Sequence, residues 1–144
     1  MEANKMKLLL ENWRKYLKEG VEDLYGEIGY SSPETLYDFE GGCKVKVVLA
    51  TIPDGIELNL IEVIGENCMR KGHATAIMER ITDAADKYNI RIFLGATPLD
   101  KKIDREDLVS WYEKFGFEAE HDDYETNEMV RFPKKSGATN EAPT

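Results

Sequence analysis

Residues 56–95, IELNLIEVIGENCMRKGHATAIMERITDAADKYNIRIFLG, combine three patterns that together predict one folding unit. The strand predicted over 56–64 begins with alternating apolar and polar residues, which is typical of a strand with one buried face. Apolar residues then recur at three- and four-residue steps over 74–88 and predict an amphipathic helix. A short apolar run predicts a second strand over 90–95. This order predicts a βαβ unit with parallel strands and a right-handed crossover.

The alternation in the first of these strands breaks after Leu60. Ile61 and Val63 are apolar where a polar residue is due, and Glu62 is polar where an apolar one is due. A β-bulge would shift the phase of the strand, and burial on both faces would remove the alternation. Both explanations remain open at the level of sequence.

On the N-terminal side, a strand over Lys44–Ala50 is followed by the turn residues Pro53-Asp54-Gly55, so a hairpin with the 56–64 strand is expected. Residues 6–18 predict an amphipathic helix that ends near Gly20. That helix either packs on the domain or docks a partner. The region 21–42 is expected to be a loop with a short helical turn near 33–39.

On the C-terminal side, a helix is expected over 105–115, ending at Gly116, with a strand from Phe117 and a last strand over 128–132. We expect a single domain over 1–133, which includes the N-terminal helical segment 1–20. Residues 134–144 form a polar tail that is expected to be disordered.

Composition restricts the classes of function. A net charge of −9 argues against general nucleic-acid binding, since the chain repels phosphate backbones at long range. No apolar run approaches the roughly 20 residues of a membrane span, and no secretory signal is evident. Two distant histidines do not indicate a metal site. Cys43 and Cys68 predict neither a disulfide framework nor metal ligation, so a reduced, cytoplasmic protein is expected.

Residues 69–74, MRKGHA, lie between the predicted strand and the long helix. The first turn of a helix has free amides and partial positive charge, which suit phosphate oxygens. Gly72 would let a ligand approach the backbone closely, and Arg70 and Lys71 add cations to an otherwise acidic chain. A simple strand-to-helix turn with a solvated basic pair is the alternative. The glycine patterns of dinucleotide-binding and phosphate-binding loops are absent.

Two segments in this order resemble the GNAT superfamily of acyl-CoA N-acyltransferases. MRKGHA resembles that family's motif of Gln or Arg, two residues, Gly, one residue, and Gly or Ala. WYEKFGF at 111–117 resembles its second motif, about 40 residues further on, and IEVI at 61–64 resembles its splayed strand. The resemblance covers about residues 43–132. Met69 departs from the first motif, Arg105 replaces a frequent Asn, and the family's first strand is not evident in 1–42.

The resemblance implies an α/β fold with a mixed central sheet, a splayed strand, flanking helices and a reduced N-terminal part. It also implies that acetyl-CoA is the co-substrate, that strand main chain binds its pantetheine arm, and that no metal takes part. The implied cofactor-binding residues are Val63, Ile64, Met69, Arg70, Lys71, Gly72, His73, Ala74 and Thr75. His73 is expected to contribute its backbone amide rather than to act as a base.

Acetyl transfer by direct attack needs a neutral amine, a polarised carbonyl and a proton for the departing thiolate. Glu62 on the splayed strand is the first candidate base and Glu57 the second, although Glu62 can equally be an edge residue that faces solvent. Tyr112 matches the tyrosine that protonates the thiolate in the family. Its alternative role is packing on the apolar helix face beside Leu108 and Trp111.

The sequence therefore predicts an acetyl-CoA-dependent N-acetyltransferase acting on a primary amine of unknown identity, either a small amine or a protein or peptide amine. Two alternatives are a GNAT-like CoA-binding regulatory module without effective turnover and an interaction protein that works through its N-terminal helix. No membrane partner is expected, and a homodimer is left open.

Overall fold

A computed structural model describes residues 18–96, 104–119 and 128–134. The described part contains a helix α1 over residues 18–28 and a single 3-10 turn, Glu40–Gly42. The other elements are β1 Thr35–Asp38, β2 Lys44–Ile52, β3 Gly55–Ile64, α2 His73–Tyr88, β4 Arg91–Gly95, α3 Arg105–Glu113, β5 Glu118–Ala119 and β6 Glu128–Arg131.

The strands form one mixed sheet in the order β1-β2-β3-β4-β6-β5. β3 and β4 are parallel and α2 connects them, so the predicted βαβ unit is confirmed. β2 and β3 form the predicted antiparallel hairpin, which turns between Ile52 and Gly55. The remaining pairs, β1 with β2, β4 with β6 and β5 with β6, are also antiparallel.

A bulge in the hairpin accounts for the phase break that the sequence shows in β3. Leu60 pairs with Val48, but Leu58 pairs with Leu49, so Asn59 has no partner of its own in β2. The extra residue shifts the alternation by one position. Of the two explanations that the sequence allowed, the bulge is therefore the correct one.

The described helices pack against one face of the sheet and form a single core together with alternate residues of its strands. Val21, Leu24 and Ile28 of α1 are buried in it, as are apolar residues of α2 and Tyr112 of α3. The strand residues in this core include Val45, Val47, Leu49, Ile56, Leu58, Ile92 and Leu94. The residues between them in the strands point to the opposite face of the sheet, which is only partly buried in the described part of the chain.

Two predictions for the N-terminal region are wrong. Gly20 is not a helix stop, because it lies inside α1, and the region of the expected loop also contains β1. Gly20 lies where a Cβ would come within 3.3 Å of Ile90, so a small residue allows α1 to pack closely. A glycine inside a helix costs about 1 kcal/mol relative to alanine, and the free energy gained by burying the apolar residues of α1 exceeds that cost.

Other predictions fall partly outside the described residues. The predicted helix over 6–18 is described only at residue 18, and the predicted tail over 134–144 only at residue 134. The division into a domain and a tail therefore stays a prediction. No helix among the described residues is long and apolar enough to cross a bilayer.

Cys43 and Cys68 form a disulfide, so the expectation of unpaired, reduced cysteines is wrong. Lys44 pairs with Ile64 across the hairpin, which brings the residue before β2 close to the loop after β3. The two Cα atoms are 5.6 Å apart, a usual separation for bonded cysteines. The pairing depends on the register of the hairpin, which the spacing of two cysteines does not show. The cytoplasmic location stays a prediction.

Candidate functional site

The N-terminus of α2 presents backbone donors that have no acceptor among the described residues. The first intrahelical bond runs from the Ala76 amide to the Gly72 carbonyl, so the amides of His73, Ala74 and Thr75 precede the helical ladder. No side chain caps the helix, and its first turn carries no acidic residue. Three amides and the positive end of a 16-residue helix therefore face outward together.

The loop that leads into α2 is curled by residues with positive φ. Asn67 has φ 57°, Arg70 has φ 65° and Gly72 has φ 82°. A Cβ built on Gly72 meets no atom within 4 Å, so the space in front of this position is open. Residues that alternate between left-handed and right-handed backbone conformations turn successive N–H groups toward one side, an arrangement that suits anions. The loop geometry thus fits the diphosphate that the resemblance implies.

Side chains of the same loop add positive charge and an apolar surface. Arg70 and Lys71 are exposed beside the start of α2. Met69, which replaces the Gln or Arg of the motif, is 45% exposed and cannot supply the polar contact that those residues would make. The described loop therefore presents backbone amides and two cations, with no polar side chain at position 69.

β3 separates from β4 at the end of the sheet where α2 begins. β4 pairs with β3 only as far as Leu58 and Leu94, whereas β2 follows β3 to Ile64. From Leu60 onward, the edge of β3 that faces β4 has no strand partner among the described residues. Backbone groups of a strand point alternately to its two sides, so this segment, which includes Val63 and Ile64, has main-chain groups on that edge that no described strand pairs with.

A hydrogen bond links the second sequence motif to the helical turn that follows the first. The Trp111 indole N–H donates to the Thr75 hydroxyl at 3.1 Å, which joins α3 to the first turn of α2. The rings of Trp111 and Tyr112 have centroids 5.0 Å apart. Sequence reasoning missed this contact, although a half-buried indole N–H usually finds an acceptor.

Tyr112 is buried on α3, next to Trp111. Its side chain is 6% exposed and its ring packs edge-on against Phe117, with centroids 5.6 Å apart. Burial raises the pKa of Tyr112 to about 12. The hydroxyl therefore stays protonated at neutral pH, as a general acid requires, but it is a weaker acid than an exposed tyrosine.

Glu62 lies on the other face of the sheet. Its neighbours Ile61 and Val63 pack against the core on the helix side, so the exposed Glu62 side chain points away from α2 and α3. Lys46 lies opposite Glu62 in β2, but its ammonium pairs with Glu34 at 3.4 Å. Glu57, the second candidate base, is exposed on this same face. No contact joins Glu62 to Tyr112.

A residue that the sequence did not single out lies against the loop. The ring of Phe39 packs against that of His73, with centroids 4.3 Å apart. Asp38, Phe39, Glu40 and His73 line a shallow pocket of about 590 Å³. His73 thus combines a free backbone amide with a ring that is held by packing. Among the described residues, no cluster of His, Cys, Asp and Glu could hold a metal ion.

Three solved structures resemble this chain in fold. AcrVA5, an anti-CRISPR protein, is 24% identical with a TM-score of 0.50, over 67% of this chain and 96% of its own. PH1933 from Pyrococcus horikoshii OT3 is 16% identical with a TM-score of 0.53, over 83% of this chain and 76% of its own. Ard1 from Thermoplasma volcanium is 17% identical with a TM-score of 0.54, over 79% of this chain and 78% of its own.

At these identities the likeness is one of fold, and it confirms the fold class predicted from the sequence. No protein-family model matches the sequence, and no curated protein matches it either.

Proposed function

The chain has the fold of the GNAT superfamily of acyl-CoA N-acyltransferases, and from this premise we propose that it transfers an acetyl group from acetyl-CoA to a primary amine. One observation carries the proposal. The N-terminus of α2 has no side-chain cap, and three of its amides have no acceptor in the part of the chain that the structure describes. It lies beside the edge of β3 that has no described strand partner, in a chain of net charge −9. Free amides and two cations placed together in an acidic protein support an anionic ligand.

The proposed position of acetyl-CoA follows the free backbone groups. The amides of His73, Ala74 and Thr75 receive the diphosphate, with Arg70 and Lys71 beside it. The pantetheine arm runs along β3 and hydrogen-bonds main-chain groups of the segment that includes Val63 and Ile64. This path leads the thioester into the gap between β3 and β4, and it uses backbone groups that the described fold leaves unpaired.

The two faces of the sheet suit separate roles in direct attack. Glu62 lies on the open face, where an amine can reach the gap. It takes a proton from the acceptor ammonium, directly or through water, so that the neutral amine can attack. Tyr112 lies on the helix side and gives its proton to the departing thiolate. The amine nitrogen bonds to the acetyl carbon as the carbon–sulfur bond breaks, and no covalent enzyme intermediate is needed.

A second function is favoured by two observations at the same site. Met69 lacks the polar group of the motif, and burial makes Tyr112 a weak acid with a pKa of about 12. Both are consistent with a module that binds acetyl-CoA but turns it over poorly. Release of the CoA thiol in the presence of an amine distinguishes the two functions, because only the enzyme produces it.

Binding at the loop is tested by Gly72→Asp. Acetyl-CoA at about 100 times its Kd should stabilise the wild-type protein by about 2.7 kcal/mol, which raises Tm by roughly 5–10 °C. The variant should lose this shift, because its carboxylate lies where the diphosphate binds. Differential scanning fluorimetry with and without acetyl-CoA measures both proteins.

Gly29→Asp is the matched control for that variant. Gly29 has φ 71°, close to the 82° of Gly72, and a Cβ there also meets no atom within 4 Å. Both variants therefore carry similar backbone strain, but Gly29 follows α1, away from the loop. If the Gly72 variant keeps the full shift, the diphosphate does not bind at this loop.

The charge of the acceptor follows from the open face of the sheet. Glu57 and Glu62 are exposed there, and the chain as a whole is acidic, so a cationic amine should be attracted to the site. We expect kcat/KM for such an amine to fall steeply between low salt and 1 M salt, where the Debye length is about 3 Å. A rate that does not respond to salt, or a preference for acidic acceptors, would contradict this expectation.

A further inference from the structure

The Cys43–Cys68 disulfide joins the proposed cofactor loop to the segment that precedes β2. Of the eight loop residues between β3 and α2, Gly65 to Gly72, only Cys68 is buried, with 1% of its surface exposed. Cys43 is equally enclosed at 3%. Cys68 is therefore the point at which an otherwise exposed loop is anchored to the protein.

Close packing accompanies the covalent bond on both sides of the loop. A Cβ on Gly65 would lie 2.7 Å from the Cys68 sulfur and 3.2 Å from the Gly42 carbonyl oxygen, so the loop begins tightly against the 3-10 turn. At the other end of the loop, His73 packs on Phe39. The backbone amide of Phe39 donates to the Cys43 carbonyl at 2.8 Å, which closes the turn on itself.

The loop needs such an anchor because of its backbone conformation. Asn67 and Arg70 both have positive φ, a conformation that costs free energy for a residue with a Cβ and persists only where the surrounding structure enforces it. These two residues flank Cys68. Without the disulfide, the packing at the two ends of the loop is what remains to hold the curled conformation, because its residues other than Cys68 are exposed. The loop that leads to the amides at the start of α2 is then less ordered.

We propose that this disulfide is a redox-sensitive tie, and that the oxidised chain is the form that binds acetyl-CoA tightly. The inference rests on the proposed function. A dithiol reductant breaks the sulfur–sulfur bond in two exchange steps. Its first thiolate bonds to one cysteine sulfur and expels the other cysteine as a thiolate, and its second thiolate then displaces the remaining cysteine thiolate from the mixed disulfide. The protein gains two thiols, and the reductant becomes a cyclic disulfide. The freed loop then samples conformations that do not bind.

The effect on affinity follows from the fraction of molecules in the binding conformation. If reduction leaves the loop competent in about 1–10% of molecules, the apparent Kd for acetyl-CoA rises about 10–100-fold. Titration calorimetry with acetyl-CoA on the full chain, oxidised and then treated with dithiothreitol, measures this change. Alkylation and intact mass of each sample count the free thiols. The Cys43→Ser, Cys68→Ser double variant should bind as weakly as the reduced protein in both conditions.

Hydrogen exchange provides a readout that does not need the ligand. Reduction should speed amide exchange in residues 65–76 while the second half of α2, residues 81–88, stays protected, which shows that the domain remains folded. Equal acetyl-CoA affinity in both redox states would contradict control of binding by the disulfide but would be compatible with the proposed function. Free thiols in the oxidised sample would overturn the tie as well. Absence of binding in both states would overturn the proposed function and this inference with it.

Discussion

Replacing Tyr112 by Phe should slow acetyl transfer by about 10²–10⁴-fold, the usual contribution of a general acid. The change removes only a hydroxyl and keeps the ring that packs against Phe117. Folding and the affinity for acetyl-CoA should therefore change little, and the loss should appear in kcat. Steady-state thiol release with a competent amine, together with the acetyl-CoA thermal shift, separates the two effects.

Tyr88→Phe is the matched control for this variant. The Tyr88 hydroxyl also belongs to a helix, but it donates to the exposed Glu27 at 3.0 Å, at the far end of α2 from the loop. Its loss should leave turnover unchanged. If Tyr112→Phe turns over at the wild-type rate, Tyr112 is a packing residue, as its place beside Leu108 and Trp111 also allows.

Removal of the Asp86 carboxylate should destabilise the fold by about 3–5 kcal/mol, because it leaves a buried charge without its partner. Both guanidinium Nη atoms of Arg131 donate to the two oxygens of Asp86, at 2.9 and 3.0 Å. The Arg131 side chain is only 4% exposed, and its Nε donates to the Phe115 carbonyl at 2.6 Å. The pair joins α2 to β6 and to the turn that follows α3. Urea unfolding of Asp86→Ala measures the cost.

Two further variants show that the cost comes from the buried charge. In the double variant Asp86→Ala, Arg131→Met no charge is left unpaired, so its stability should exceed the value expected from adding the two single losses. Glu27→Gln breaks the ion pair with Lys87, which is short at 2.6 Å but exposed, and should have little effect. A loss below about 1 kcal/mol for Asp86→Ala would contradict the assigned role.

The centre of the fold was predictable because each element there has a strong local pattern. Three signals lie within one element or between elements adjacent in sequence: the apolar face of α2, the turn at Pro53-Asp54-Gly55 and the break in alternation after Leu60. These signals predicted the βαβ unit and the hairpin. The sequence allowed two explanations of the phase break, a bulge or burial of the strand on both faces. Only the pairing of Leu58 with Leu49 decides for the bulge.

The failed predictions concern features that depend on contacts between distant segments. Gly20 has the chemistry of a helix stop, and only its packing against Ile90 shows why α1 continues. β1 has four residues and needs β2 as its partner. The disulfide depends on the register that brings Cys43 to Cys68. At the site, sequence motifs indicated the loop and Tyr112, but the hydrogen bond between Trp111 and Thr75 and the packing of Phe39 on His73 arise from tertiary structure.

The central claim is acetyl transfer from acetyl-CoA to an amine, and thiol release over a panel of amines tests it most directly. The panel contains small polyamines, amino acids, and peptides with free lysine or N-terminal amines. We expect thiol release that requires both the protein and a cationic amine, with acetylated amine formed in equal amount and a rate that falls in Tyr112→Phe. A protein that binds acetyl-CoA yet releases no thiol with any amine would contradict the claim.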